Sequence, residues 1–137
     1  MDRMREVVVL SAVRTAIGKY GGALKVTSPC DLGAVVIRES IRRARIAADD
    51  VDQVFLGNVI HTSSEDMYIS RVSAVRAGVP VTTPALTLNR LCGSGLQAII
   101  SAAQAIWLGD ARTAVAGGVE SMSRAPYWLS GLRWASE

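Results

Sequence analysis

At 137 residues, half of them hydrophobic and 20% charged, the chain has enough apolar side chain for one core of ordinary domain size. That balance excludes a disordered acidic or basic tail as its main character, and no apolar run is read as approaching the ~18 residues that a membrane span needs. A net charge of +3 would suit an anionic ligand such as a phosphorylated cofactor, but the cations are scattered as on a solvated surface. With neither a basic stripe interleaved with aromatics nor zinc-finger spacing, neither nucleic acid nor a membrane is expected as a partner.

Glu6 to Val13 is a near-continuous apolar run that predicts a first strand, buried on both faces, and not a signal peptide. The glycine-bearing loop from Arg14 to Gly22 matches no nucleotide fingerprint and reads as structural. Ser28-Pro29-Cys30-Asp31 opens a helix: Ser28 as N-cap, Pro29 at its first position, Asp31 at the positive end of the dipole. Leu32, Val35, Val36 and Ile41 are its expected buried stripe, with Arg38, Arg42, Arg43 and Arg45 outward. A second strand over Val51–Val59 follows, then a polar loop from His61 to Asp66. An amphipathic helix through Ile69, Val72 and Val75 then stops at Gly78. His61, the single histidine, reads as an exposed loop residue.

Pro84–Leu88 predicts a buried third strand. After it, Leu96, Ile99, Ile100, Ala103, Ile106 and Trp107 recur at helical spacing up to Gly109. Thr113–Val119 predicts a fourth buried strand, and the alternation of strands and helices implies a parallel α/β layer structure. Residues from Glu120 onward fit no further unit and carry Tyr127, Trp128, Leu129 and Trp134, a surface that a self-contained domain would cover.

Cys92 lies where the third strand turns into its helix, within Asn89-Arg90-Leu91-Cys92-Gly93-Ser94-Gly95. The first N–H groups of a helix lack intrahelical partners and carry partial positive charge, so a thiolate there is favoured and an acyl oxyanion can be bound. Gly93 and Gly95 leave room for a substrate to approach the backbone. On physics alone two readings stand side by side: a nucleophile for acyl transfer, and a small buried hydrophobe. Cys30 lacks the glycine surround and reads as a packing residue. The two cysteines are too far apart for a metal or redox pair, and a reducing compartment, the cytoplasm, is expected.

Four segments in order and spacing carry a resemblance: Arg14-Thr15-Ala16-Ile17-Gly18 with Gly21-Gly22; Gly57-Asn58-Val59; Asn89 through Ala98; and Ala116-Gly117-Gly118-Val119-Glu120-Ser121-Met122-Ser123. With them the chain resembles the thiolases, the acetyl-CoA acetyltransferase and β-ketothiolase family, across essentially its whole length. The resemblance implies an α/β, thiolase-like layered fold with a mostly parallel mixed sheet. This chain would then be an incomplete N-terminal half: residues 1–119 an α/β domain lacking its last strand, residues 120–137 the start of a loop domain. It further implies ping-pong acyl transfer between two acyl-CoA molecules, with Cys92 forming the thioester and its backbone N–H serving the oxyanion. Asn89 and Gly93 would shape the corner without reacting. Coenzyme A thioesters, acetyl-CoA among them, enter as substrates; no separate cofactor and no metal are implied. The full enzymes are dimers or tetramers, with the strand before Cys92 a contact across the dimer axis.

Two departures qualify this. Around Glu65–Arg71, where many members carry a G-Q-N-P-A-R-like stretch, only Arg71 clearly matches, which leaves acyl chain length open. The family's G-H-P histidine, N-E-A-F asparagine and C-x-G-G-G cysteine do not occur, so a complementary C-terminal region is implied for acid–base catalysis. Two other functions remain open: a noncatalytic interaction module and a stand-alone cysteine acyltransferase.

Overall fold

A computed structural model describes residues 6–134; the ends of both expected units, residues 1–5 and 135–137, lie outside them. Its elements are helix α1 (Pro29–Ala44), strand β1 (Gln53–Gly57), helix α2 (Ile69–Ala77), strand β2 (Ala85–Leu88), helix α3 (Ser94–Leu108) and strand β3 (Ala114–Gly118). The three strands are parallel in the order β2-β1-β3, with Val54 opposite Ala85 on one side and Val115 on the other.

Side chains alternate across the central strand and so divide the core in two. Val54 and Leu56 pack with Cys30, Ile37, Ile69 and Ala74 of α1 and α2, while Phe55 packs with Ala98, Ala102 and Ala105 of α3. Helices thus cover both faces of the sheet, as parallel strands require.

The start of α1 is as expected: the Ser28 hydroxyl accepts the Asp31 N–H at 3.1 Å, and Pro29 occupies the first turn. Its buried stripe is rotated from the expected one. Cys30, Gly33, Ala34, Ile37 and Ile41 face inward, and Val35 is 54% exposed. The cause is a close helix crossing, since a methyl on Gly33 would fall 2.5 Å from the Ser73 Oγ of α2. The inward face of α2 carries two buried serines, Ser70 and Ser73, among apolar Ile69, Ala74 and Ala77. The Ser70 hydroxyl accepts the Leu56 N–H at 2.9 Å and donates to the Leu86 carbonyl at 2.7 Å, so it bridges β1 and β2.

Four further expectations are corrected. Glu6–Val13 is extended but forms no strand; the Ser11 hydroxyl donates to the Ser40 carbonyl of α1, and Val9 is 79% exposed. A strand needs a neighbour, and a cavity of about 890 Å³, lined by Val7, Leu10, Val36, Val115 and Gly117 among others, lies between this segment and β3. Strand β2 is an edge strand with Leu86 exposed, not a buried one. On α3 the alanines face the sheet while Leu96, Ile99, Ile100 and Trp107 are exposed, because contact this close to the sheet admits only small side chains. Window Leu91–Leu108 also meets the length and composition of a membrane span, contrary to the sequence reading. Its helical part, at ~1.5 Å per residue, reaches only ~22 Å of the ~30 Å hydrocarbon core and packs its alanine face on β1.

Beyond β3 the described residues make only 3₁₀ turns, at Met122–Arg124 and Leu132–Trp134, and Tyr127, Trp128, Leu129 and Trp134 are exposed.

Candidate active site

Parallel strands put all three C-terminal ends on one side of the sheet, and this is where ligands of such sheets bind. Leading off those ends are Asn58-Val59 after β1, the corner Asn89–Gly93 after β2, and Val119-Glu120 after β3. Cys92 is exposed there as a free thiol, two residues before α3.

The corner is built by short-range bonds. Leu91 sits at φ 49°, a left-handed conformation that costs a side-chain-bearing residue on the order of 1 kcal/mol. It is held by the Asn89 Oδ1, which accepts the Leu91 N–H at 2.9 Å. Buried Ser94 closes the turn: its hydroxyl accepts the Arg90 N–H at 2.8 Å and donates to the Leu91 carbonyl at 2.6 Å. The Asn89 side chain therefore shapes the corner, whereas the bridging role of Ser94 was missed; a serine at the opening of a helix, a residue type that bonds to neighbouring backbone, is the signal that could have found it.

The close approach lies elsewhere than at the corner's own glycines. A methyl on Gly57 would fall 2.5 Å from the Ser94 Cβ, and one on Gly118 3.1 Å from the Gly95 Cα. On Gly93 and Gly95 it would find 3.4 and 3.8 Å. The start of α3 thus rests directly on the ends of β1 and β3, and two motif glycines make that possible.

The quoted motifs converge here. Asn58 is buried, and its amide donates to the Val119 carbonyl at 2.9 Å and to Glu120 at 3.3 Å; its Oδ1 has no partner among the described residues. Glu120 also accepts the Val59 and Ile60 N–H groups at 2.9 and 3.2 Å. Asn89 donates to the Val59 carbonyl at 3.5 Å, and the Gly21 N–H donates to the Ser123 hydroxyl at 2.9 Å. The long-range role of Glu120 was not visible in sequence.

Cys30 is a packing residue. It is 0% exposed, and burial first, then its hydrogen bond to Asp66 and that carboxylate's charge, push its thiol up to about 12. Asp66, read from sequence as part of a polar loop, is itself buried. Burial opposes its ionisation, but hydrogen bonds from the Thr62 hydroxyl and N–H, the Cys30 thiol and the Ser63 hydroxyl hold it below the usual carboxylate range. His61 is exposed. Arg71 donates to the Val81 carbonyl at 2.9 Å and so anchors the loop before β2. No group of three metal-ligating side chains occurs among the described residues.

Against known proteins, the family model described as Thiolase, N-terminal domain, matches residues 7–136. The chain belongs to the thiolase family. Among its thiolase relatives, Beta-ketothiolase BktB of Cupriavidus necator is 60% identical over 132 residues, covering 96% of this chain and 34% of that protein. The mitochondrial 3-ketoacyl-CoA thiolase of Homo sapiens is 40% identical over 137 residues, with 34% of its length covered. The solved acetyl-CoA acetyltransferase of Bacillus anthracis superposes with a TM-score of 0.92 at 42% identity, over 98% of this chain and 34% of that one. Human mitochondrial 3-ketoacyl-CoA thiolase in complex with CoA gives a TM-score of 0.91 at 40% identity, over 94% and 33%. The chain spans about a third of the length of these thiolases.

Proposed function

We propose that this chain carries the nucleophile of an acyl-CoA C-acetyltransferase that runs a reversible Claisen condensation. The Cys92 thiolate attacks the carbonyl of an acyl-CoA, the backbone N–H of Cys92 binds the developing oxyanion, and coenzyme A leaves as its thiolate. A second acyl-CoA then loses an α-proton, and its carbanion attacks the thioester. The product is 3-ketoacyl-CoA and the cysteine is freed; thiolysis is the reverse. The proton-transferring groups belong, in this reading, to the part of the longer thiolases that this chain does not span.

The observation that carries the reading is the exposed Cys92 at the start of α3, on the strand-end side where the family's motif segments meet. Names of the relatives, and the CoA complex of one of them, support acyl-CoA as the substrate class. Dependence on further polypeptide is supported by the open apolar face of α3, by the exposed residues after Pro126 and by the cavity beside β3. We place the missing last strand of the α/β unit in that cavity, residues 120–137 at the start of a loop domain, and edge strand β2 at a dimer contact. The two unbridged cysteines support the cytoplasm as the compartment.

Mixing the chain with a separately produced complementary thiolase region and following acetoacetyl-CoA thiolysis tests this. Activity that appears on mixing and is lost in Cys92→Ser supports it. Acyl transfer by the chain alone would favour a stand-alone acyltransferase, and no rescue would favour a noncatalytic module.

A further inference from the structure

The bonds around Glu120 run further than a local turn requires. Its carboxylate, just past β3, accepts two consecutive backbone N–H groups, of Val59 at 2.9 Å and Ile60 at 3.2 Å, and the Asn58 amide at 3.3 Å. That turn in turn grips the nucleophile corner: the Asn58 N–H donates to the Leu88 carbonyl at 3.1 Å, and the Val59 carbonyl accepts from Asn89 at 3.5 Å. Asn89 then holds Leu91 in its left-handed conformation, next to Cys92. A carboxylate that accepts several N–H groups makes charge-assisted bonds, roughly twice as strong as neutral ones. Asn58 itself is buried, and its amide also donates to the Val119 carbonyl at 2.9 Å, so the turn after β1 is tied to the residues after β3 at two points.

We propose that Glu120 is a positioning residue for Cys92, an inference resting on the acyl-transfer reading above. Acting through the Asn58–Ile60 turn and Asn89, it fixes the backbone at 89–92 so that the sulfur and the Cys92 N–H face one acyl carbonyl together. It touches no substrate. A purely structural carboxylate of the same kind stands at the opposite end of the sheet, where Asp52 accepts the Arg112 and Thr113 N–H groups at 2.7 and 3.0 Å. Asp52 therefore serves as the control.

Amide hydrogen exchange in the 89–93 segment, referred to the amides of α1, tests the positioning directly. Glu120→Ala is expected to speed exchange there at least tenfold. Glu120→Gln, which keeps one acceptor but sets an amide donor against the second N–H, is expected to fall between, at two- to fivefold. Asp52→Ala should leave the 89–93 segment unchanged. Equal exchange in wild type and Glu120→Gln, or equal loosening of 89–93 by Asp52→Ala, overturns the inference.

A second readout separates geometry from mere exposure of the thiol. Labelling of Cys92 by iodoacetamide should change less than twofold in Glu120→Gln, while acetyl loading from acetyl-CoA falls tenfold or more. Cys30, which is buried and labelled only on unfolding, reports any loss of folded protein: it should stay unlabelled in Glu120→Gln, and Cys30 labelling that rises in step with the loss of acetyl loading overturns the inference. Acetyl loading is read on the chain mixed with the complementary thiolase region; wild-type protein that never accepts acetyl in that mixture would refute the acyl-transfer reading and leave the exchange result to decide the role of Glu120.

Discussion

Gly57 is the residue on which the packing of α3 depends most directly. In Gly57→Ala the new methyl would lie 2.5 Å from the Ser94 Cβ and 2.6 Å from its main-chain carbonyl carbon, against the 3.4 Å at which ordinary contact begins. Neither atom can be cleared by a rotamer change, so the start of α3 has to lift by about 0.9 Å. Overpacking of this kind costs about 1–3 kcal/mol. With an unfolding entropy of ~2.1 cal/mol/K per residue, a loss of 2 kcal/mol lowers the melting temperature of 137 residues by ~7 °C. Gly95→Ala is the matched opposite. Its methyl meets nothing nearer than 3.8 Å, and alanine is better than glycine in a helix by about 1 kcal/mol, so melting should rise ~3 °C. Thermal unfolding followed by circular dichroism reads both. A Gly57→Ala chain as stable as wild type, or a Gly95→Ala chain destabilised as much, would refute the account of how α3 is seated.

The remaining expectations concern the cysteines and Asp66. Under native conditions iodoacetamide should label one cysteine per chain, Cys92, and in urea both; native labelling of Cys30, read by peptide mass spectrometry, would contradict its burial. Because the Cys30 thiol is pushed up to about 12 in the fold, against ~8.5 in an unfolded chain, the unfolded state loses its proton first. Stability should therefore fall from about pH 8.5 upward, by ~1.4 kcal/mol per unit, and Cys30→Ala should flatten that slope in urea titrations. Asp66 has the opposite sign. Its lowered pKa contributes stability that is present above ~4 and lost as pH falls through the folded value. Asp66→Asn, which removes a buried charged acceptor of several hydrogen bonds, should cost about 2 kcal/mol at pH 7 and weaken the acid dependence.

What could be read from the residues were features set by neighbours in sequence. The Ser28 cap, the glycine stops at Gly78 and Gly109, the alternation of strand and helix, and the corner position of Cys92 all depend on a few adjacent side chains and backbone preferences. Features that depend on which surface meets which were not readable. Val35 and Ile37 are both apolar on one helix, and only the crossing against Ser73 decides that Ile37 faces inward and Val35 outward. On α3 the large apolar residues predict the buried face, yet the sheet takes the alanines and leaves the large residues open.

The sequence by itself determined the class of fold, the family and the strand-to-helix corner on which Cys92 sits, because capping, periodicity and motif spacing act over short stretches of chain. The tertiary structure alone decided that Glu120 reaches the turn after β1, that Asp66 is a buried anchor, and that Glu6–Val13 does not pair as a strand. Each of these rests on contacts between segments far apart in the chain, where burial and hydrogen-bond partners are properties of the packing and not of the residue.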